Sequence, residues 1–395
     1  MNLIIPTLGR ESDIIVLPSN KSDRSNRTQS MMVSMCATKW KLRPFDFVTR
    51  FPPLPSIRAS SIMRGKRSLS FNYHGRLIYS SNYQISGMRF LAMDSNSQVA
   101  ETAPMPKIMY GTAWKGAETS NCVYQALKAG FRGIDTAAQP LHYKENFVGL
   151  AVRRAIREGI VKRNEIFIQT KFTPPWSQDL SQTLPYDPKA PIAKQIHDSI
   201  TQSLRTFDCT NFEEPYIDSL VLHTPYPTIE DTITAWKTLE MYVPYQIKQL
   251  GISNASLRDV EMLCTLPEIT VRPSCVQNRF YWQTLWEKDL RAYLREEGIV
   301  FQAFWILSAN QELHGLQCVH TISSYAGVGK PAALYSLVLG LRGTAVLNGS
   351  RQEAHMKEDI EGIRKIEEWA QSEKGKPTWL DCLEEFKYYV GDEAL

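Results

Sequence analysis

Eight short apolar runs, each closing on polar residues and each followed by room for a helix, constrain this chain more than any other feature. They are KIMYGTAW (107–114), GFRGID (130–135), EIFIQTK (165–171), YIDSLVLH (216–223), IKQLGISN (247–254), PSCVQN (273–278), GIVFQAFW (298–305) and RGTAVLNGS (342–350). The spacing between them runs from roughly 25 to 50 residues. The intervening segments carry helical signals. In PIAKQIHDSITQSLRTF, Ile192, Ile196, Ile200 and Leu204 recur every fourth residue and make one apolar stripe. In TIEDTITAWKTLEMYV, Thr228 and Asp231 have capping-box spacing, and Ile229, Ile233, Trp236 and Leu239 share a face.

Eight βα units over about 260 residues predict an α/β fold, a (β/α)8 TIM barrel, whose usual length is around 250 residues. A doubly wound sheet is the competitor. It needs a Gly-rich turn after an early strand, and the chain has no G-x-G-x-x-G. GVGK (327–330) lacks the upstream Gly and the Ser/Thr of a phosphate loop, so it reads as a turn.

The first ninety residues read differently. Residues 1–92 hold 14 Lys/Arg and 4 Asp/Glu; residues 93–395 hold 31 and 37. The overall charge of +4 therefore hides a basic leader and an acidic body. Prolines interrupt the leader, as in RFPPLPSIRASS (50–61), and no period is sustained. We read 1–92 as a low-structure leader or a start placed too far upstream, and 93–395 as the barrel with a C-terminal tail. A mitochondrial leader is the competing reading. The acidic body argues against nucleic acid as the main partner. No apolar run approaches the length of a membrane span. Seven scattered cysteines with no C-x-x-C pair suggest a reducing compartment, and the cytoplasm is expected.

In a barrel of this kind, side chains at the C-terminal strand ends converge on one mouth, where catalysis takes place. Asp135, Lys171 and His223 each close an apolar strand, and Tyr143 lies eight residues after Asp135. A Lys⁺ held by Asp⁻ lowers the pKa of a neighbouring phenol, which then serves as a general acid toward a carbonyl oxygen. A neutral His can donate to the same oxygen.

Here the chain resembles the aldo-keto reductases. The motifs are GTAW (111–114), GFRGIDTA (130–137), HYKENFVG (142–149), IFIQTKF (166–172), YIDSLVLHTP (216–225), LGISNAS (250–256) and CVQNRFYWQ (275–283). The resemblance covers about residues 105–365. It implies NAD(P)H-dependent reduction of a small-molecule aldehyde or ketone, with Asp135, Tyr143, Lys171 and His223 as the catalytic set and no metal. It further implies that Ser253, Asn254 and Gln277 hold the nicotinamide carboxamide and that Phe304 stacks on the ring. Ser350 and Arg351, in LNGSRQEAHMKEDI (347–360), fall at the phosphate site, where Ser350 and Glu353 also have capping-box spacing. Trp114 is the expected substrate contact, and Trp176, Thr224 and Tyr226 lie in the same set of loops.

The departures from the family pattern are local. The loop from Asp135 to Tyr143 is three residues longer than the common one. Gly349 stands where Lys is common, His355 where Arg is common, and Asp359 where an amide is usual. NADP(H) is favoured and NAD(H) is possible. The insertion 173–191 is expected to cover part of the mouth. The tail after about residue 366, with Trp379, Phe386, Tyr388 and Tyr389, is a candidate cap. Two other classes compete: a non-catalytic dinucleotide-binding barrel acting as a regulatory subunit, and a metal-dependent hydrolase. The second needs paired ligands at several strand ends.

Overall fold

The computed structural model describes residues 103–209 and 214–392. The readings made for 1–92, and for the junction at residue 93, lie outside these. Eight parallel strands close into one barrel in chain order, with β1 completing the ring against β8. They are β1 Ile108–Gly111, β2 Gly133–Asp135, β3 Phe167–Phe172, β4 Ile217–Leu222, β5 Ile247–Ser253, β6 Cys275–Arg279, β7 Val300–Phe304 and β8 Thr344–Asn348. Six lie inside runs read from the sequence, and β3 and β6 each extend one residue past theirs, to Phe172 and Arg279. β3 and β4 are buried at every residue, as expected for strands covered on both faces. β2 needs a glycine at its start: a Cβ on Gly133 would come within 2.7 Å of Met109 Cγ on β1.

The helices between the strands bury most of the predicted stripes; Ile192 and Ile233 are half-buried and Ile229 is exposed. α1 is Thr119–Ala129 and α2 is Glu145–Arg157. α3, Ile192–Thr206, buries Ile196, Ile200 and Leu204. α4, Ile229–Glu240, is capped by Thr228, whose hydroxyl accepts from the Asp231 N–H at 3.1 Å. α5 (Leu257–Thr265) and α6 (Lys288–Glu297) follow β5 and β6. Two helices rather than one separate β7 from β8: α7 (Gln317–Ala326) and α8 (Lys330–Gly340). GVGK is the turn between them, with Gly327 at φ 63° ending α7 and Gly329 capping α8. α9 (Glu353–Gln371) and α10 (Gly375–Tyr389) complete the described chain.

Among the described residues the tail does not cap the mouth. α10 packs on α7, α8 and α9, burying Cys382, Leu383 and Phe386. Asp392 then ties the segment after α10 to α6 through Arg291 at 3.0 Å and Arg295 at 2.6 Å. The apolar side chains of the tail find a helical wall to bury against, and this outweighs any contact at the pocket. Among the described residues no helix is long and apolar enough to cross a membrane.

One interior layer of the barrel is polar. Gln169 on β3, Gln277 on β6 and Gln302 on β7 are buried around Asp135. Gln169 Nε2 donates to Asp135 Oδ1 at 2.8 Å and to Gln302 Oε1 at 2.7 Å. Gln277 Nε2 donates to the same two acceptors, at 2.9 Å each. Gln302 Nε2 returns a bond to Gln169 Oε1 at 3.0 Å. Polar groups are tolerated at this depth because they satisfy one another.

Candidate active site

The strand ends open into a cavity of about 1040 Å³. Asp135, at the end of β2, receives Lys171 Nζ at 2.7 Å on both oxygens, and Lys171 also donates to the Thr136 carbonyl at 2.9 Å. Lys171 is fully buried behind the cavity wall, while Asp135, Tyr143 and His223 line it. Despite the lengthened loop, Tyr143 reaches the others. Its ring centroid is 5.3 Å from Lys171 Nζ and 6.0 Å from the His223 ring, edge to face at 72°. Its backbone N–H donates to the Gln139 carbonyl at 3.0 Å, which folds the extra residues into a turn.

The electrostatics differ from the sequence argument in one respect. Burial pushes the Tyr143 phenol up, and the Asp135 carboxylate adds to that. The expected lowering by Lys171 does not prevail, because Asp135 neutralises the ammonium and because burial disfavours phenolate. Lys171 is itself held below the ordinary lysine range by burial, with Asp135 opposing. His223 is pushed down to about 3, first by burial and then by the charges of Lys171 and His142. Its ring is therefore neutral at physiological pH. Nδ1 faces Thr173 Oγ1 at 2.6 Å.

The other sequence-predicted positions gather on the same cavity. Ser253 donates to the Gln277 carbonyl at 2.6 Å and accepts from Asn254 Nδ2 at 3.2 Å. Asn254, at φ 52°, also donates to the His223 carbonyl at 3.0 Å, tying β5 to the end of β4. Gln277 commits its N–H groups inward to Asp135 and Gln302. Phe304 faces the cavity beside Trp305, with ring centroids 6.0 Å apart. Trp114 lines the mouth, 60% exposed, and packs on His142 with centroids 3.7 Å apart and the rings tilted by 35°. Thr224 lines the cavity, whereas Trp176 and Tyr226 are not among its lining residues. Of the insertion 173–191, Ser177 reaches the wall, fixed by Gln139 Nε2 donating to its carbonyl at 2.7 Å.

Ser350 and Arg351 line the far end, in the β8 loop. The capping box read for Ser350 and Glu353 does not form. α9 begins at Glu353, so Gln352 is its N-cap, and Ser350 Oγ accepts from the Gln352 N–H at 3.2 Å instead. The first turn of α9 keeps N–H groups without a side-chain cap. Asp359 is tied down by Asn348 Nδ2 at 2.7 Å, and burial lifts its carboxyl to about 6.

Three lining residues were missed from sequence. His142 adjoins the motif tyrosine, and burial holds its ring below the ordinary histidine value. Lys115 follows the GTAW motif. Its buried ammonium donates to the Gly349 carbonyl, within 4.0 Å of where a Cβ on Gly349 would lie. The β1 loop thus delivers a cation to the place where the β8 loop lacks one. Arg279 sits inside the CVQNRFYWQ motif, two residues after Gln277 and on the same face of β6. No local signal marked Lys115 or Arg279; only long-range packing places them.

The donor set fits a nicotinamide dinucleotide. Amide and hydroxyl groups surround one end of a long cavity. At the other end are uncapped helix N–H groups and two cations, Lys115 and Arg351. Neither cation has a carboxylate partner among the described residues.

Comparison with known proteins agrees with this architecture. Residues 107–311 match the family model described as "Aldo/keto reductase family"; β8 and the phosphate loop lie beyond the match. The uncharacterized oxidoreductase YtbE of Bacillus subtilis (strain 168) is 30% identical over 202 residues, covering 50% of this chain and 62% of YtbE, under two thirds of its length. The aldehyde reductase YPR1 of Saccharomyces cerevisiae is 29% identical over 59% of this chain and 74% of its own. A crystal structure of an aldo/keto reductase from Brucella melitensis superposes with a TM-score of 0.54 at 20% identity, over 70% of this chain and 95% of that one. The match to more than half of the chain shows that this protein belongs to the aldo/keto reductase family.

Proposed function

We propose that the protein reduces an aldehyde or ketone to an alcohol with NAD(P)H, and that Tyr143 is the proton donor. The supporting observation is the convergence of Tyr143 and His223 on one cavity wall, with the Lys171–Asp135 pair directly behind. A bound reduced nicotinamide supplies the hydride. The rest falls to the chain's own groups. Burial keeps the Tyr143 phenol protonated until a carbonyl oxygen gains negative charge beside it. Lys171 then stabilises the phenolate as it forms. Neutral His223 orients the same oxygen by hydrogen bonding.

Ser253, Asn254, Gln277 and Phe304 hold the nicotinamide end in this reading, and Ser350 and Arg351 the phosphate end. Gln277 has spent its N–H groups, so its Oε1 is the atom left to accept from a carboxamide. Trp114 contacts the substrate. NADPH is preferred over NADH because Arg351, with Lys115 beside it, answers a 2′-phosphate. We place the barrel at 93–395 with a separable leader at 1–92, and the protein in the cytoplasm; the six described cysteines are free thiols, as a reducing compartment requires. The test is loss of reduced-nicotinamide absorbance with 4-nitrobenzaldehyde, run with each cofactor. A protein that binds NADPH without oxidising it in the presence of reactive aldehydes is a dinucleotide-binding barrel and not a reductase.

A further inference from the structure

Among the described residues, the catalytic end of the cavity carries one cation without an ion pair. Asp135 is paired with Lys171, and burial holds both His142 and His223 below the ordinary imidazole range. Arg279 remains. It is the last residue of β6, paired in register with Phe304 of β7. Residues 277 and 279 face the same side of the strand, so the guanidinium stands one layer above the Gln277 amide, toward the opening. Its carbon lies 5.6 Å from the Phe304 ring centroid and 4.8 Å from that of Trp305. Among the described residues its one side-chain hydrogen bond goes to Asn254 Oδ1 at 3.2 Å, and Asn254 in turn donates to the carbonyl of His223. No ion pair to it is present among the described residues.

An arginine has five N–H donors in a rigid plane, and stacking on aromatic rings occupies the faces of that plane but not its edge. Here one donor is used among the described residues, and Arg279 lines the cavity. Trp305, which forms the shelf, is held at φ 65° and is 47% exposed. A non-glycine residue in the left-handed region is strained, and such strain concentrates at functional sites.

We propose that Arg279 is a substrate-binding residue and that the substrate carries a carboxylate as well as the carbonyl that is reduced: an oxo acid or an aldehyde acid. A planar carboxylate matches the free edge of the guanidinium in bidentate geometry, and the carbonyl is then presented to Tyr143 and His223 across Asn254. This rests on the reductase reading above and adds the substrate class to it.

The experiment compares 4-carboxybenzaldehyde with its neutral counterpart, methyl 4-formylbenzoate, in the wild type, Arg279→Met and Arg279→Lys. NADPH affinity is read separately from quenching of protein fluorescence. The wild type is expected to favour the acid through a lower KM. In Arg279→Met the loss in kcat/KM on the acid exceeds the loss on the ester by roughly 10-fold to 100-fold, the worth of hydrogen bonding to a charged group. Arg279→Lys recovers part of the preference, because the charge returns without the fork. Equal losses on both aldehydes overturn the proposal, as does a wild type with no preference for the acid. A large loss of NADPH affinity in Arg279→Met overturns it too, and assigns the cation to the cofactor. Failure of the parent reading looks different: the wild type then reduces neither aldehyde, and the proposal falls with it.

Discussion

Lys171 donates to both carboxylate oxygens of Asp135 at 2.7 Å and spends its remaining N–H on the Thr136 carbonyl at 2.9 Å. No donor is left for the Tyr143 phenol, so Lys171 acts on that ring through its field, from 5.3 Å. With Asp135 so close, the field is that of a nearly neutral pair, and burial decides the resting state of the tyrosine. On the proposed reading the pair acquires its value when negative charge appears on the phenol, since the dipole is already oriented.

Tyr143→Phe keeps the ring and removes the proton. Turnover should fall by about 10²-fold to 10⁴-fold, the usual worth of a positioned acid. NADPH binding and thermal stability should change little. Lys171→Met should lower turnover on a similar scale, and the double variant should lose far less than the product of the two, because both act on one proton transfer. It should also destabilise the fold, since Asp135 is left charged and buried. A Tyr143→Phe enzyme with normal turnover would falsify the assignment.

Arg351→Ala should raise the Michaelis constant for NADPH and leave that for NADH nearly unchanged. A charge-assisted contact to a 2′-phosphate is worth about 1.5–3 kcal/mol, less where solvent screens it. Arg351 donates to the Trp114 carbonyl, which turns it toward the cavity mouth. Equal losses with both cofactors remove it from the 2′-phosphate.

Stability should depend on pH through Glu145. This carboxyl is buried at the start of α2, and burial lifts it to about 7, against hydrogen bonds from Thr170 and Ser203 that favour ionisation. The folded chain therefore keeps a proton that the unfolded chain loses above the ordinary value of 4.5. Stability from this group falls as pH rises from there to about 7, by on the order of 3 kcal/mol in all. His223, pushed down to about 3, has the opposite slope: its contribution is present above 6.5 and fades as pH falls. The measurement is thus a difference. Relative to wild type, Glu145→Gln should gain stability in chemical denaturation between about pH 5 and about pH 8. A difference that does not change with pH would show that Glu145 is not the titrating group.

A chain beginning at Met93 should fold and keep its activity, because the described residues close the barrel by themselves. Insolubility of that chain, alongside an active full-length protein, would place part of 1–92 in the fold.

The barrel was legible in the sequence because its signals are local. A run of alternating or continuous apolar residues, a turn and a four-residue stripe each depend on neighbours in the chain. Asp135, Lys171 and His223 stood out for a related reason: an ionisable group closing an apolar strand is costly unless the fold gives it a partner. What those strands bring together across the ring was decided by tertiary structure. Gln169, Gln277 and Gln302 sit on separate strands, and only barrel closure shows that they satisfy Asp135 and one another. Lys115 reaches Gly349 across 234 positions of sequence, which no motif spacing encodes. The direction in which Tyr143 shifts, the docking of α10 on the helical wall and the failure of Ser350 to cap α9 follow from burial and from helix starts settled by packing. These quantities depend on what surrounds a residue in space. The sequence specifies them only through the whole fold.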